Sequence, residues 1–181
     1  MSQITKKDAM QMISKSSKLT HSILVSKIMI LIAKDLHQNM REWELTGLLH
    51  DLDYDLTQDI AGQHGTKAAM MLGEKVSSTV SHAIIAHDSG TGCEAISALD
   101  KGLILADCLA WLIDDQGLLK SDLELKSAIE KEKMIKPKIV QKIELYSNML
   151  DLSLEKIIRD LKINLVKGSG EIVKNGSSSE S

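Results

Sequence analysis

Phenylalanine is absent from the chain, and two tryptophans and two tyrosines are the whole aromatic complement of its 181 residues. With aromatics at 2%, the core has to be built from Leu, Ile, Val, Ala and the nine Met. Alternating Val, Tyr, Phe and Trp is nearly missing, which removes the usual strand signal. The single proline removes the main helix breaker. Two cysteines, Cys93 and Cys108, form no close pair and are too few for a disulfide framework, so reduced, packing thiols are expected. There is no Lys/Arg run and the net charge is −3, which argues against duplex DNA or RNA as the main partner. Residues 1–17 are polar and lack the apolar centre of a secretory signal. The best apolar stretch, 23–33, is too short for a bilayer and carries Ser26 and Lys27. A cytoplasmic address with no membrane partner is the expectation. At 43% hydrophobic and 26% charged residues, the composition is that of one ordinary domain.

Helical spacing runs through almost the whole chain. It predicts helices over 8–15, 19–36, 42–49, 63–73, 76–87, 95–114, 123–133, 138–150 and 153–166, an all-α domain spanning 1–167. The second helix carries Leu24, Val25, Ile28, Leu31, Ile32 and Asp35 on one stripe, with Lys27 and Lys34 outside it and Ser17 or Thr20 as cap. Gly73 is the expected stop of the fourth. An Asp-rich loop is expected over 51–59 and a turn over 89–92. Residues 168–181 are Gly/Ser-rich and read as a mobile tail. No internal repeat and no second domain boundary is visible.

The polar residues that fall on apolar helical stripes carry the chemistry. His21 precedes Leu24, Val25 and Ile28 on the core side of its helix. His50 and Asp51 are adjacent at a helix end after Leu48 and Leu49. His64 shares a face with Ala68 and Met71, and His87 with Val80, Ala83 and Ile84. Asp107 shares a stripe with Leu103, Ile104, Ala110 and Trp111. A carboxylate on an apolar face is costly unless it is paired or bound to a metal. Inward His and Asp from several helices can satisfy one another only by converging, and imidazole with carboxylate suits a divalent ion such as Mn, Fe, Ni, Co or Zn.

The run Gly47-Leu48-Leu49-His50-Asp51-Leu52-Asp53 resembles the signature of the HD-domain metal-dependent phosphohydrolases. The order His21, His50-Asp51, His64-Gly65, His87, Asp107 is similar to the ligand order of that superfamily, over about residues 5–165. The lead-in Glu42-Trp43-Glu44 and the pair Asp53-Tyr54 resemble the small stand-alone members. The resemblance implies an all-α HD-domain helical bundle around a central metal site. His21, His50, Asp51 and Asp107 would be the minimal ligand set. His64 and His87 would complete a second site, with Asp51 bridging the two ions, so that one or two divalent ions per chain are expected. It further implies attack of a metal-bound hydroxide on a small phosphoester, with a nucleotide as the substrate suggested by the family.

Departures from the family pattern bear on catalysis. Many relatives carry Gly-Lys after the signature, with the lysine assisting; here those positions are Asp53 and Tyr54. Lys67, about one turn beyond His64, could supply the charge or be a solvated helix-face lysine. Asp53 could orient a ligand histidine, accept a proton, or cap a helix. His82 is about 140° round its helix from His87 and is assigned to the other face. His37 is read as exposed, and Asp55 and Asp59 as a solvated acidic loop. Asp88-Ser89-Gly90-Thr91-Gly92 is either a plain turn or a loop whose N–H groups hold phosphate. Trp111 either walls the pocket or fills core, and Cys108 is not a ligand. Two further readings stay open: a di-iron oxygenase on the same scaffold, and a metal-binding regulatory module without turnover. The C-terminal helices 138–166 could pack on the domain or on a partner subunit in a homo-oligomer.

Overall fold

The structure is a computed structural model that describes residues 4–116 and 122–172. Ten α-helices and no strand occur among the described residues, in agreement with the all-α expectation. They are α1 (Lys6–Ile13), α2 (Leu19–Asp35), α3 (Met40–Leu49), α4 (Tyr54–Thr57), α5 (Thr66–Leu72), α6 (Ser78–Ala86), α7 (Ala98–Gln116), α8 (Asp122–Ile135), α9 (Pro137–Met149) and α10 (Leu154–Ile172). No described helix is long and apolar enough to cross a membrane.

Local sequence explains most of the boundaries. A capping box closes α1, with Thr5 and Asp8 bonding each other's backbone N–H. Asn39 accepts from Arg41 and Glu42 N–H at the start of α3, and Ser77 accepts from Val80 N–H at the start of α6. The one proline opens α9, where its missing N–H is harmless. Gly73 ends α5 as expected. His37, exposed as expected, takes a left-handed conformation just past the end of α2.

Other boundaries depart from local expectation. Neither Ser17 nor Thr20 caps α2. Ser17 instead gives its backbone N–H and hydroxyl to Asp55, which accounts for that acidic side chain. The expected loop over 51–59 contains α4. The expected helix over 63–73 starts only at Thr66, because Gly65 is left-handed. The last helix continues to Ile172, beyond the expected end at Val166, and residues 173–181 lie outside the described ones.

The core centres on α2, α3 and α7, with Ile28, Met29, Ile32, Trp43, Leu48, Leu103, Leu105 and Leu109 almost fully enclosed. Next, α5 and α6 pack along one side, α9 against α7 and α8, and α10 against α2. A Lys156–Asp35 ion pair ties α10 to α2. The C-terminal helices are therefore partnered within this chain.

Helices α2 and α3 cross closely at Gly47, where an added Cβ would lie 2.7 Å from Ser26 Cα and 2.9 Å from its N. Both are backbone atoms of α2, so the crossing itself would have to open. Gly47→Ala is expected to destabilise the fold by about 2–3 kcal/mol, read by denaturant unfolding. Unchanged stability would contradict the close approach.

Candidate metal centre

His50 and His87 are the C-cap residues of α3 and α6, so each ring leaves its helix where the core is most enclosed. His50 is fully buried; its Nδ1–H donates to Gly47 O at 2.9 Å. His87 Nδ1–H donates to Ile84 O at 2.6 Å. His21, one turn into α2, meets Asp114 Oδ2 with Nδ1 and Asp107 Oδ1 with Nε2, both at 2.9 Å. His64 meets Asp53 Oδ1 with Nδ1 at 2.9 Å and Asp51 Oδ1 with Nε2 at 3.0 Å.

All four Nδ1 atoms are thereby held by groups outside the cluster, and all four Nε2 atoms face Asp51 or Asp107. Asp51 Oδ1 is 3.3 Å from His50 Nε2 and 3.6 Å from His87 Nε2. Asp107 Oδ1 is 3.7 Å from His50 Nε2, and His64 and His87 Nε2 are 3.1 Å apart. Two overlapping sets result, His21/His50/Asp51 and Asp51/His64/His87, with Asp51 common to both.

These residues fit divalent metal. His50 Nε2 is buried and makes no hydrogen bond, a costly orphan unless an ion takes its lone pair. Fixing Nδ1 while freeing Nε2 is also how metal-ligating histidines are oriented.

The electrostatics point the same way. Burial alone would pull the histidines down. Hydrogen bonds and charge from Asp107 and Asp114 outweigh it and hold His21 up at about 9. Asp51 and Asp53 hold His64 up at about 10, and Asp51 raises His87 as well. Burial pushes Asp51 and Asp107 upward, but the surrounding histidines win and keep both well below the usual carboxylate range. Without metal the centre therefore holds protons at pH 7 that an ion must displace. Loading is expected to release about two to three protons per chain and to strengthen as pH rises from 6 to 9, checked by calorimetry in buffers of different ionisation enthalpy. The raised histidines stabilise the metal-free fold fully below about 6.5, and that stabilisation fades as pH rises through about 9–10. The metal-loaded fold should lack this decline.

A family model described as the HD domain matches residues 19–112, just over half the chain and all six of these residues. The chain belongs to the HD-domain family. Neither the curated proteins nor the solved structures contain a match. HD domains are generally metal-dependent hydrolases, and the centre lies within the matched segment.

Around this HD centre, the structure brings together the six expected ligands but revises their surroundings. His64 lies before α5 rather than on it. It is aimed by Asp53, which is fully buried and accepts from Gly65 and Ala68 N–H at 2.9 and 3.1 Å. Fully buried and absent from the cavity wall, Asp53 faces His64 rather than the space a substrate would enter. A cavity of about 320 Å³ opens over the cluster, lined by His21, Asp51, His64, His87 and Asp107 among others. Lys67 is not on its wall; the lysines there are Lys18, Lys138 and Lys142. Lys18 Nζ sits 4.1 Å from the ring centre of Tyr54, so a cation stands beside the position where relatives carry lysine.

The loop after His87 does reach the wall through Asp88 and Ser89. It offers no N–H cradle, however, because the N–H groups of Gly90, Thr91 and Gly92 bond to Asp88 and Ser89 within the loop. Trp111 walls the cavity, with Lys136 stacked on its ring at 3.5 Å. Cys108 borders it too, but its sulfur joins neither ligand set, and burial and the Asp107 charge push its thiol up to about 12. His82 points away toward Asp100 and Cys93. Sequence reading missed Asp114, although it sits two turns beyond Asp107 on the same face of α7. It also missed Lys18, Lys138 and Lys142, which carry no local signal.

Proposed function

We propose that this HD domain is a phosphohydrolase that binds two divalent ions and cleaves a small phosphoester, a nucleotide in the first instance. The observation that carries the reading is the pairing of a double carboxylate–histidine cluster with three lysines on one cavity wall. A phosphoryl group needs cationic neighbours on its oxygens, and a hydrolase needs an activated water opposite the leaving group. Bound ions would supply that water at neutral pH and neutralise phosphoryl charge. His21, His50, Asp51 and Asp107 would hold one ion, and Asp51, His64 and His87 the other.

The chain's own side chains do the rest. Asp53 and Asp114 fix the rings of His64 and His21. Lys18, Lys138 and Lys142 bind the substrate phosphate, and α9 adds two of these from beyond the family match. Tyr54 and Trp111, two of the four aromatics, border the cavity and offer surface to a base. The site is otherwise open to small, anionic compounds.

The test is a panel of nucleoside monophosphates and simple phosphomonoesters with Mn, Fe, Co, Ni or Zn. Release of inorganic phosphate is expected, and Lys142→Ala should raise KM about tenfold while leaving metal content unchanged. No cleavage by the fully loaded protein would overturn the reading and favour a module without turnover. Oxygen consumption by the iron form without phosphate release would favour a di-iron oxygenase.

A further inference from the structure

On the opposite side of α6, a second polar cluster has an arrangement that the metal centre does not use. Cys93 Sγ is 3.5 Å from His82 Nε2, and His82 Nδ1 is 3.1 Å from Asp100 Oδ2. The three residues come from three segments: α6, the loop before α7, and the first turn of α7. Asp100 is fully buried, and its Oδ1 has no hydrogen-bond partner. Its Oδ2 also accepts from Ile96 and Ser97 N–H at 2.9 and 2.8 Å, which locks the carboxylate in place. A carboxylate only accepts, so Asp100 beside Nδ1 favours the tautomer protonated there, which turns the Nε2 lone pair toward the thiol.

We infer that Cys93 is a nucleophilic thiol, with His82 as its base and Asp100 positioning His82, and that it is a covalent modification site for small disulfides. Thiolate is the reactive form of cysteine, and a base within hydrogen-bond reach, itself oriented by a third group, is the arrangement that generates it. Cys93 is half-exposed, and its backbone N–H is anchored by Thr91 Oγ1 at 3.2 Å, so the sulfur is accessible but held.

The exchange balances as follows. His82 Nε2 takes the thiol proton, and Cys93 sulfur attacks one sulfur of the disulfide. The S–S bond breaks as the new one forms. The departing thiolate then takes the proton from His82. Cys93 is oxidised to the mixed disulfide, and the released half is reduced to a thiol.

The protein has only one other cysteine, Cys108, which is buried, so the reading is clean. The probe is dithiobis(nitrobenzoate), whose release of coloured thiolate is followed by stopped flow on the full chain at pH 7. Modified sites are assigned by mass spectrometry. Cys93 is expected to react about tenfold or more faster than the same cysteine in a free 89–97 peptide, because an unassisted thiol is only a few per cent ionised at that pH. His82→Gln should drop the rate to that of the peptide, with metal content and the unfolding midpoint unchanged. Asp100→Asn should drop it as well. Should that variant fail to fold, His82→Gln carries the test alone. A native Cys93 no faster than the peptide, or a His82→Gln variant as fast as the native chain, would overturn the proposal.

Discussion

Asp51→Asn should lose both ions and at least about a thousandfold in turnover. Asp51 Oδ1 is the one atom within 3.6 Å of the Nε2 of His50, His64 and His87 at once. Removing its charge takes an anionic donor from both ligand sets, and metal chemistry of this kind loses orders of magnitude when ion charge is misplaced. The fold should survive, because the histidines then shed their extra protons and can be buried neutral. Elemental analysis paired with the phosphoester assay reads both consequences. Two ions and native turnover in Asp51→Asn would sink the shared-carboxylate arrangement.

Gly65→Ala should be the most damaging methyl addition near the centre. Gly65 has φ +76°, which costs an alanine strain whatever the space. Its Cβ would also stand 2.4 Å from Ile84 O and 3.4 Å from His87 Cε1. That carbonyl is the one that aims His87, and Gly65 N–H is one of the bonds that hold Asp53 against His64. One methyl therefore disturbs both histidines of the second ion. A loss of about 3 kcal/mol or more in stability is expected from the clash and strain together. Metal content should fall toward the His21/His50/Asp51/Asp107 ion alone. A change below about 0.5 kcal/mol, with two ions kept, would contradict the packing described at Ile84.

The helical architecture and the convergence of the six candidate ligands are legible from register, but not always for the right reason. His21, His87 and Asp107 share faces with residues that are in fact enclosed, so apolar periodicity located them correctly. Register alone puts His64 on a helix with Ala68 and Met71, whereas Met71 is 40% exposed and His64 precedes the helix. What aims His64 is Asp53, eleven residues away across α4 and the turns that follow it. Local pattern cannot see a carboxylate that caps one helix from another part of the chain. The same limit explains Lys67 against Lys18, Lys138 and Lys142. Lys67 is near a candidate ligand in sequence, but the cavity's cations come from tertiary packing: α9, folded against α7, supplies Lys138 and Lys142, and the residue before α2 supplies Lys18.

The central claim is a two-ion centre sharing Asp51, and metal stoichiometry tests it most directly. The chain should be purified without chelator, then titrated with Mn, Fe, Co, Ni and Zn, and its metal counted per chain. Two ions per native chain are predicted, with none in Asp51→Asn. A native chain that takes up no divalent ion would contradict the account, because His50 Nε2 would then be a buried orphan with no ligand to satisfy it.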